Sequence, residues 1–286
     1  MKLDIKDISK SYVIKKKALS HINISFSPGV YGLLGPNGAG KSTLINIITD
    51  NIRADSGQVL YNGEDIYSLK ERYRDIIGYM PQQQVLYDNF TGEEFLWYMA
   101  ALKGIDKKIA KKRINELLNM VNLYSEKDKK VGSYSGGMKQ RILIAQAMLN
   151  DPYILIMDEP TAGLDPSERI RIRNFLSTIS ENKIIILATH IVSDIESIAK
   201  EIIILRDGKV INAGKPETLL SEISNKVFEV KVDINSEYNV QSSKIANIRI
   251  GENEKIYRVV QDDIPEGFDY VNAKAGLEEL YLYYFL

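Results

Sequence analysis

The chain has 286 residues, enough for one large domain or one domain with a small appendage, and 44% hydrophobic against 26% charged residues is the balance of an ordinary globular protein. A net charge of −1 leaves no overall electrostatic footprint for nucleic acid, and with no cysteine the chain holds neither disulfides nor thiolate metal sites. Residues 1–6 lack the apolar centre of a signal peptide, and apolar runs such as Ile184–Ala188 are far too short to cross a bilayer, so any membrane role must come through a partner.

Residues 2–8 and 20–26 alternate with period two, placing Leu3 and Ile5, then Ile22, Ile24 and Phe26, on one face; both are expected as antiparallel strands. Between them Tyr12 precedes the run Lys15-Lys16-Lys17, which reads as a solvated loop, with a weak pull on nucleotide or anionic lipid as the alternative. Tyr12 either stacks on an adenine ring or caps the core at a strand end. The apolar run Val30-Tyr31-Gly32-Leu33-Leu34 then feeds Gly35-Pro36-Asn37-Gly38-Ala39-Gly40-Lys41-Ser42-Thr43, and Leu44-Ile45-Asn46-Ile47-Ile48 opens a helix. This is G-x-x-x-x-G-K-[ST] between a strand and a helix, the context a phosphate-binding loop requires. The glycines let the backbone fold tightly enough to aim N–H groups at an anion, and the helix adds its positive end. Asn37, Gly38, Ala39, Gly40, Lys41, Ser42 and Thr43 are therefore expected to hold a nucleoside triphosphate. Lys41 would reach its β- and γ-phosphates, and the Ser42 hydroxyl would hold Mg²⁺.

Residues 57–63 read as a strand closing on the turn Asn62-Gly63, and Ser68 with Glu71 as a capping box for a short helix. Residues 76–80 form a strand that Pro81 breaks. Gln82 follows at once, where its amide would hold Mg²⁺ or the attacking water, although Gln83 and Gln84 blur which glutamine matters. From about 86 to 150 the pattern turns helical. Thr91 and Glu94 form a capping box for a helix with Phe95, Leu96, Tyr98, Met99 and Leu102, and a second helix carries Ile109, Ile114, Leu117, Leu118 and Val121 on one stripe. Ser135-Gly136-Gly137 opens a further helix. A second bare helix N-terminus has no obvious use within one chain; it makes sense if it covers the phosphate held by another subunit's loop.

Residues 154–159 are a buried-type strand ending in Asp158 and Glu159, and chemistry in parallel α/β sheets collects at carboxyl ends of strands. Asp158 would sit near Mg²⁺, and Glu159 would polarise a water for attack on the γ-phosphate. Asp165, with Pro166 and Glu168, reads as a capped helix start. His190 stands after the buried strand 184–188 as a candidate phosphate contact, whereas His21 is incidental. A hairpin turns at Asp207-Gly208, and a short helix runs from Pro216 to about Ile223. Residues 226–286 carry seven Lys/Arg against eleven Asp/Glu and read as an acidic, strand-rich accessory domain with strands near 227–232, 245–250 and 255–260 and a helix over 277–286.

Taken together and in this order, the loop at residues 35–43, Gln82, Ser135-Gly136-Gly137, residues 154–159, Asp165 and His190 resemble an ABC-transporter ATP-binding subunit over roughly residues 2–223. The resemblance implies an α/β fold: a P-loop NTPase core with a parallel sheet, an antiparallel β subdomain and a helical subdomain (about 86–150) in an ATPase domain over 1–224. A small α+β accessory domain would occupy 225–286. It implies Tyr12 as the adenine-stacking residue and Gln82 as the Q-loop. Asp158 becomes the Walker B acid and magnesium ligand, Glu159 the water-activating group, Asp165 the D-loop and His190 the switch; Ser135, Gly136 and Gly137 close the nucleotide site. Two copies, identical or not, would sandwich two ATP molecules head to tail and drive an integral membrane permease, with no nucleic acid involved. The subunit would then be cytoplasmic, peripheral on the inner face of the cell membrane. The signature reads Tyr134-Ser-Gly-Gly-Met138 where the family has Leu-Ser-Gly-Gly-Gln, and Tyr-Ser-Gly-Gly-Met-Lys-Gln-Arg resembles bacterial drug- and antibiotic-export ATPases. The alternatives are a non-transport ABC ATPase acting in regulation or translation, or a binding module whose ATPase has decayed. The former usually needs a second fused ATPase domain or a long coiled coil, and neither fits in this length.

Overall fold

In a computed structural model, strand β1 (Leu3–Val13) pairs antiparallel with β2 (Lys16–Phe26), placing Leu3 opposite Phe26 and Ile5 opposite Ile24, as the period-two pattern requires. The structure describes residues 1–13, 16–82, 86–189, 191–238, 244–264 and 267–286. After β3 (Gly29–Leu34) and helix α1 (Lys41–Ile48), β4 (Ser56–Tyr61) joins the other edge of β1 and turns back into β5 (Glu64–Asp65). Asn62 and Gly63, both with positive φ, make that two-residue turn. This first sheet runs β2-β1-β4-β5.

The box expected at Ser68 and Glu71 does not form. Asp65, one turn earlier, accepts from the Tyr67 N–H and caps α2 (Ile66–Leu69), while the Ser68 hydroxyl donates to the Asp65 carbonyl. The earlier cap lets Ile66 and Leu69 bury, and Lys70 at φ 51° interrupts the chain before α3 (Glu71–Asp75).

β6 (Ile77–Met80) begins the second sheet. Three helices follow: α4 (Gly92–Leu102), α5 (Lys107–Met120) and α6 (Gly136–Ala147). The chain then alternates through β7 (Ile154–Asp158), α7 (Pro166–Ile179), β8 (Ile184–Ala188), α8 (Ser193–Glu196), β9 (Glu201–Arg206) and β10 (Lys209–Gly214). The sheet order is β10-β9-β3-β8-β7-β6, with β3 parallel to both β8 and β9, and β7 parallel to both β6 and β8. Every residue of β7 and β8 is buried, which explains their unbroken apolar runs. One core cluster joins Leu3, Ile5 and Phe26 of the first sheet to Ile156, Ile186 and Ile203 of the second through Leu44, Ile45, Ile47 and Ile48 of α1. The helix that opens at the glycine loop is thereby anchored by fully desolvated aliphatics, each stabilising by about 1.5–3 kcal/mol.

The Thr91–Glu94 capping box forms with both of its hydrogen bonds. On α5 the buried stripe is Ala110, Ile114, Leu117 and Leu118; Ile109, expected on it, is 63% exposed because Ala110 takes the inward position of that turn. Tyr134 is buried, and its hydroxyl donates to the Glu126 carbonyl. The Tyr134 hydroxyl lies 2.1 Å from where a Cβ on Gly92 would stand, so a tyrosine at this position depends on a glycine across the helical region. Arg141, also buried, donates to the Val121 and Asn122 carbonyls at the end of α5 and pairs with Glu168 at 3.2 Å. That pairing accounts for Glu168, which does not complete a capping box: Asp165 precedes α7 without a side-chain cap bond.

Two compact units divide the chain, Met1–Ile211 and Asn212–Leu286. The second contains α9 (Pro216–Ser221), β11 (Val227–Asp233), β12 (Lys244–Ile250), β13 (Glu254–Val260), β14 (Asp269–Asn272) and α10 (Leu277–Phe285). Its antiparallel sheet, β12-β13-β11-β14, packs Phe228, Val230, Tyr257 and Val259 against Tyr238, Ile264 and Phe268. Its other face carries an ionic network in which Arg258 reaches both Glu279 and Glu229, and Glu229 also meets Arg249.

Candidate functional site

A cavity of about 370 Å³ opens at the carboxyl ends of β3, β6 and β7. It is lined by Tyr12, Lys17, Ala18, Gln82, Asp158, Glu159 and every residue from Asn37 to Thr43. Four segments far apart in sequence thus meet at the strand ends where α/β sheets hold ligands.

The glycine loop is shaped by contacts that exclude a side chain. Gly40 caps α1 at φ 106°, and a Cβ there would lie 2.6 Å from the Ala18 carbonyl oxygen. No side chain caps α1, whose first turn lines the cavity, so its N-terminal donors are left for a ligand. The Lys41 ammonium donates to the carbonyls of Gly35 at 2.6 Å and Pro36 at 3.2 Å, folding the side chain over its own loop. Burial lowers the Lys41 pKa, and the nearby Glu159 and Asp158 carboxylates partly offset that.

Asp158 ends β7 and is 7% exposed. Burial and the Glu159 charge push its pKa up against the pull of Lys41. Glu159, 6% exposed, adopts φ 54°, a left-handed conformation that costs a non-glycine residue about 1–3 kcal/mol and persists only where the surroundings fix it. Three bonds do so. Its N–H donates to the Ala188 carbonyl at 2.8 Å, its carbonyl accepts from Gln140 Nε2 at 2.8 Å, and its Oε2 accepts from the Thr189 hydroxyl at 3.1 Å. Thr189 is itself held, accepting from the Ile191 N–H at 2.9 Å. Gln140 and Thr189 escaped the sequence reading; the signal available for Thr189 was its place directly after a buried parallel strand.

Tyr12 does not cap the core. It is 61% exposed at the rim of the cavity, with its hydroxyl 3.5 Å from Thr43 Oγ1. Gln82 is exposed and lines the same cavity; Gln83 and Gln84 lie outside the described residues, as do Lys15 and His190. Lys17, read as part of a solvated loop, is exposed and also lines it. Ser135, Gly136 and Gly137 are not part of this lining. Ser135 Oγ accepts from the Met138 N–H at 3.2 Å and caps α6.

The oxygen donors Ser42, Gln82 and Asp158 share the cavity, and among the described residues no group of three His, Asp or Glu forms an all-protein metal cage. One carboxylate with neutral oxygens suits Mg²⁺, which keeps its waters and arrives with substrate phosphates. A sign follows for stability. A carboxyl whose folded-state pKa is raised favours folding at low pH and costs stability as pH rises from about 4 through that raised value. The Asp158→Asn variant is therefore expected to melt above the wild type at pH 7, with the difference vanishing toward pH 4. Thermal melts across that range check it.

Comparison with known proteins gives one consistent outcome. The family model for ABC transporters matches residues 19–162. The ABC transporter ATP-binding protein YxlF of Bacillus subtilis is 33% identical over 233 residues, covering 80% of this chain and 76% of its own length. The Nod factor export ATP-binding protein I of Burkholderia orbicola is 31% identical over 291 aligned positions, covering 98% of this chain and 95% of its own. Among solved structures, the dimeric post-hydrolysis state of the ATP-binding cassette MJ0796 bound to ADP and Pi superposes with a TM-score of 0.67 at 29% identity, covering 74% of this chain and 98% of that one.

Proposed function

This chain belongs to the ABC transporter family of ATP-binding subunits, and from that membership we propose how its cavity works and what it drives. It is an ATPase of that family. The observation carrying the residue assignment is the meeting of Lys41, Ser42, Gln82, Asp158 and Glu159 in one cavity while Ser135-Gly136-Gly137 lies outside its lining. Residues 37–43 bind the phosphates through backbone donors and Lys41, and Tyr12 stacks on the adenine. Ser42, Gln82 and Asp158 hold Mg²⁺, which neutralises phosphate charge. Glu159, positioned by Gln140 and Thr189, accepts a proton from the attacking water. The γ-phosphate contact is assigned to His190, which follows Thr189 in the sequence. The glycine pair of a second ATPase subunit, identical or homologous, covers that phosphate from above and closes a two-fold dimer. ATP drives closure because its γ-phosphate is bound better in the closed state than ADP is.

The dimer's work is delivered to an integral membrane permease from the cytoplasmic face, in the direction of export, as the Nod factor export relative suggests. No helix among the described residues is long and apolar enough to cross a membrane, so the link is made by contact. The aromatic group that follows Gln82 supplies the seat. Tyr87 lies 5.3 Å from Phe90 and 5.1 Å from Tyr98 between ring centroids, and Tyr87 and Tyr98 are 46% and 37% exposed. Partly exposed aromatics packed on one another are the composition of interface anchors. Replacing both Tyr87 and Tyr98 by alanine is expected to leave ATP binding unchanged and to abolish detergent-resistant co-purification with the co-expressed permease. Retained co-purification would move the seat elsewhere. The unit Asn212–Leu286 is an accessory domain to this engine.

A further inference from the structure

Away from the nucleotide cavity, α5 carries a charge pattern that helix physics disfavours. Asp106 caps the helix, accepting from the Lys108 and Ile109 N–H groups, but the first turn that follows holds Lys107 and Lys108 and no acidic residue, at the end where the helix dipole repels cations. Lys111 and Lys112 follow one turn on, so Lys107–Lys111 and Lys108–Lys112 are like-charged i,i+4 pairs, which destabilise a helix. All four lysines are exposed. Among the described residues Lys107, Lys108 and Lys111 make no ion pair, and Lys112 has a loose one, 3.8 Å from Glu116. Between them Ile109 is 63% exposed, and Leu102, the last residue of α4 before the short connection to α5, is 65% exposed. Ile109 and Lys112 also border a groove with Ile105 and Leu149, in which the carboxylates of Glu116 and Asp151 are both paired with Arg113.

We propose that this face of α5 is a contact surface for an anionic lipid leaflet. Four clustered lysines are within the range that holds acidic headgroups, and aliphatic side chains interleaved with them are the composition of an interfacial helix face. Lysine stems reach a diffuse charged surface without fixed geometry. Nucleic acid would call for arginines and stacking aromatics, and the one arginine here, Arg113, is spent on the Met148 carbonyl and Asp151. The mutual repulsion that α5 carries in solution is relieved when headgroup phosphates neutralise it. This surface stands apart from the transport reading, because vesicle binding needs neither nucleotide nor permease.

The test uses the purified full chain and the triple variant Lys108→Gln, Lys111→Gln, Lys112→Gln. Flotation is measured with phosphatidylcholine vesicles and with vesicles containing about one-third phosphatidylglycerol. Wild type should float with the anionic vesicles alone and release as salt rises. The triple variant should lose about fivefold per lysine, on the order of a hundredfold, while ATPase activity holds and the melting temperature stays level or rises. Ile109→Ser should weaken flotation without changing its salt dependence. Failure of wild type to float, equal flotation by the triple variant, or equal binding to neutral vesicles would overturn the proposal. So would tighter binding to random duplex DNA than to anionic vesicles, lost in the same variant, which would make this a nucleic-acid surface.

Discussion

Glu159→Gln should bind ATP within a few-fold of wild type and lose about 10²–10⁴ of its turnover, the range a positioned general base supplies. The substitution is nearly isosteric, and the backbone bonds from residue 159 to Ala188 and Gln140 do not involve the carboxylate. The left-handed conformation at this position is therefore retained. Lys41, Ser42 and the loop donors are untouched, so affinity holds while proton acceptance is lost. With hydrolysis stopped and the γ-phosphate kept, the closed dimer becomes the end state, and gel filtration with ATP and Mg²⁺ should show an ATP-dependent doubling of mass that ADP does not produce. Single-turnover phosphate release separates this from slow product release. Wild-type turnover in this variant would remove Glu159 from the chemistry and leave its buried carboxylate as a packing feature.

The parts of this site that the sequence revealed are those whose physics is local. A strand, a glycine loop, a lysine, a hydroxyl and a helix must follow one another in the chain to make an anion cradle, so residues 30–48 announce it. The apolar runs 154–157 of β7 and 184–188 of β8 announce a buried parallel sheet for the same reason. What the sequence hid depends on residues distant in the chain. Gln140 and Thr189, which hold Glu159, lie 19 and 30 residues away from it. Glu168 looks like half of a capping box until Arg141, on another helix, takes its carboxylate. At Ser68 two local signals competed, and the acid at Asp65 prevailed because its cap buries both Ile66 and Leu69. β14 went unseen since all four of its residues are exposed and no alternation marks them.

Gly136→Asp is expected to be as damaging as any change to the loop itself, although nothing inside the chain forbids it. A Cβ at Gly136 would meet no atom within 4 Å, and α6 has no acidic residue in its first turn. An aspartate there should leave the fold intact and favour the helix dipole by about 0.3–1 kcal/mol, so the melting temperature should hold or rise. ATP binding by the single chain should also hold, because Gly136 is not in the cavity lining. Turnover, by contrast, should fall by at least about 10²-fold, since a carboxylate would replace bare N–H donors against the partner's γ-phosphate. Lys41→Ala should be equally inactive for the opposite reason, having lost its own loop's cation. A homodimer built from one chain of each has one site with both defects and one with neither. Mixing the two inactive proteins in equal amounts should then restore as much as about a quarter of wild-type turnover, because half of the random dimers are mixed and each has one sound site of two. A mixture as inactive as its components would place Gly136 and Lys41 at the same active site of a single chain, and the shared-site geometry would fall with it.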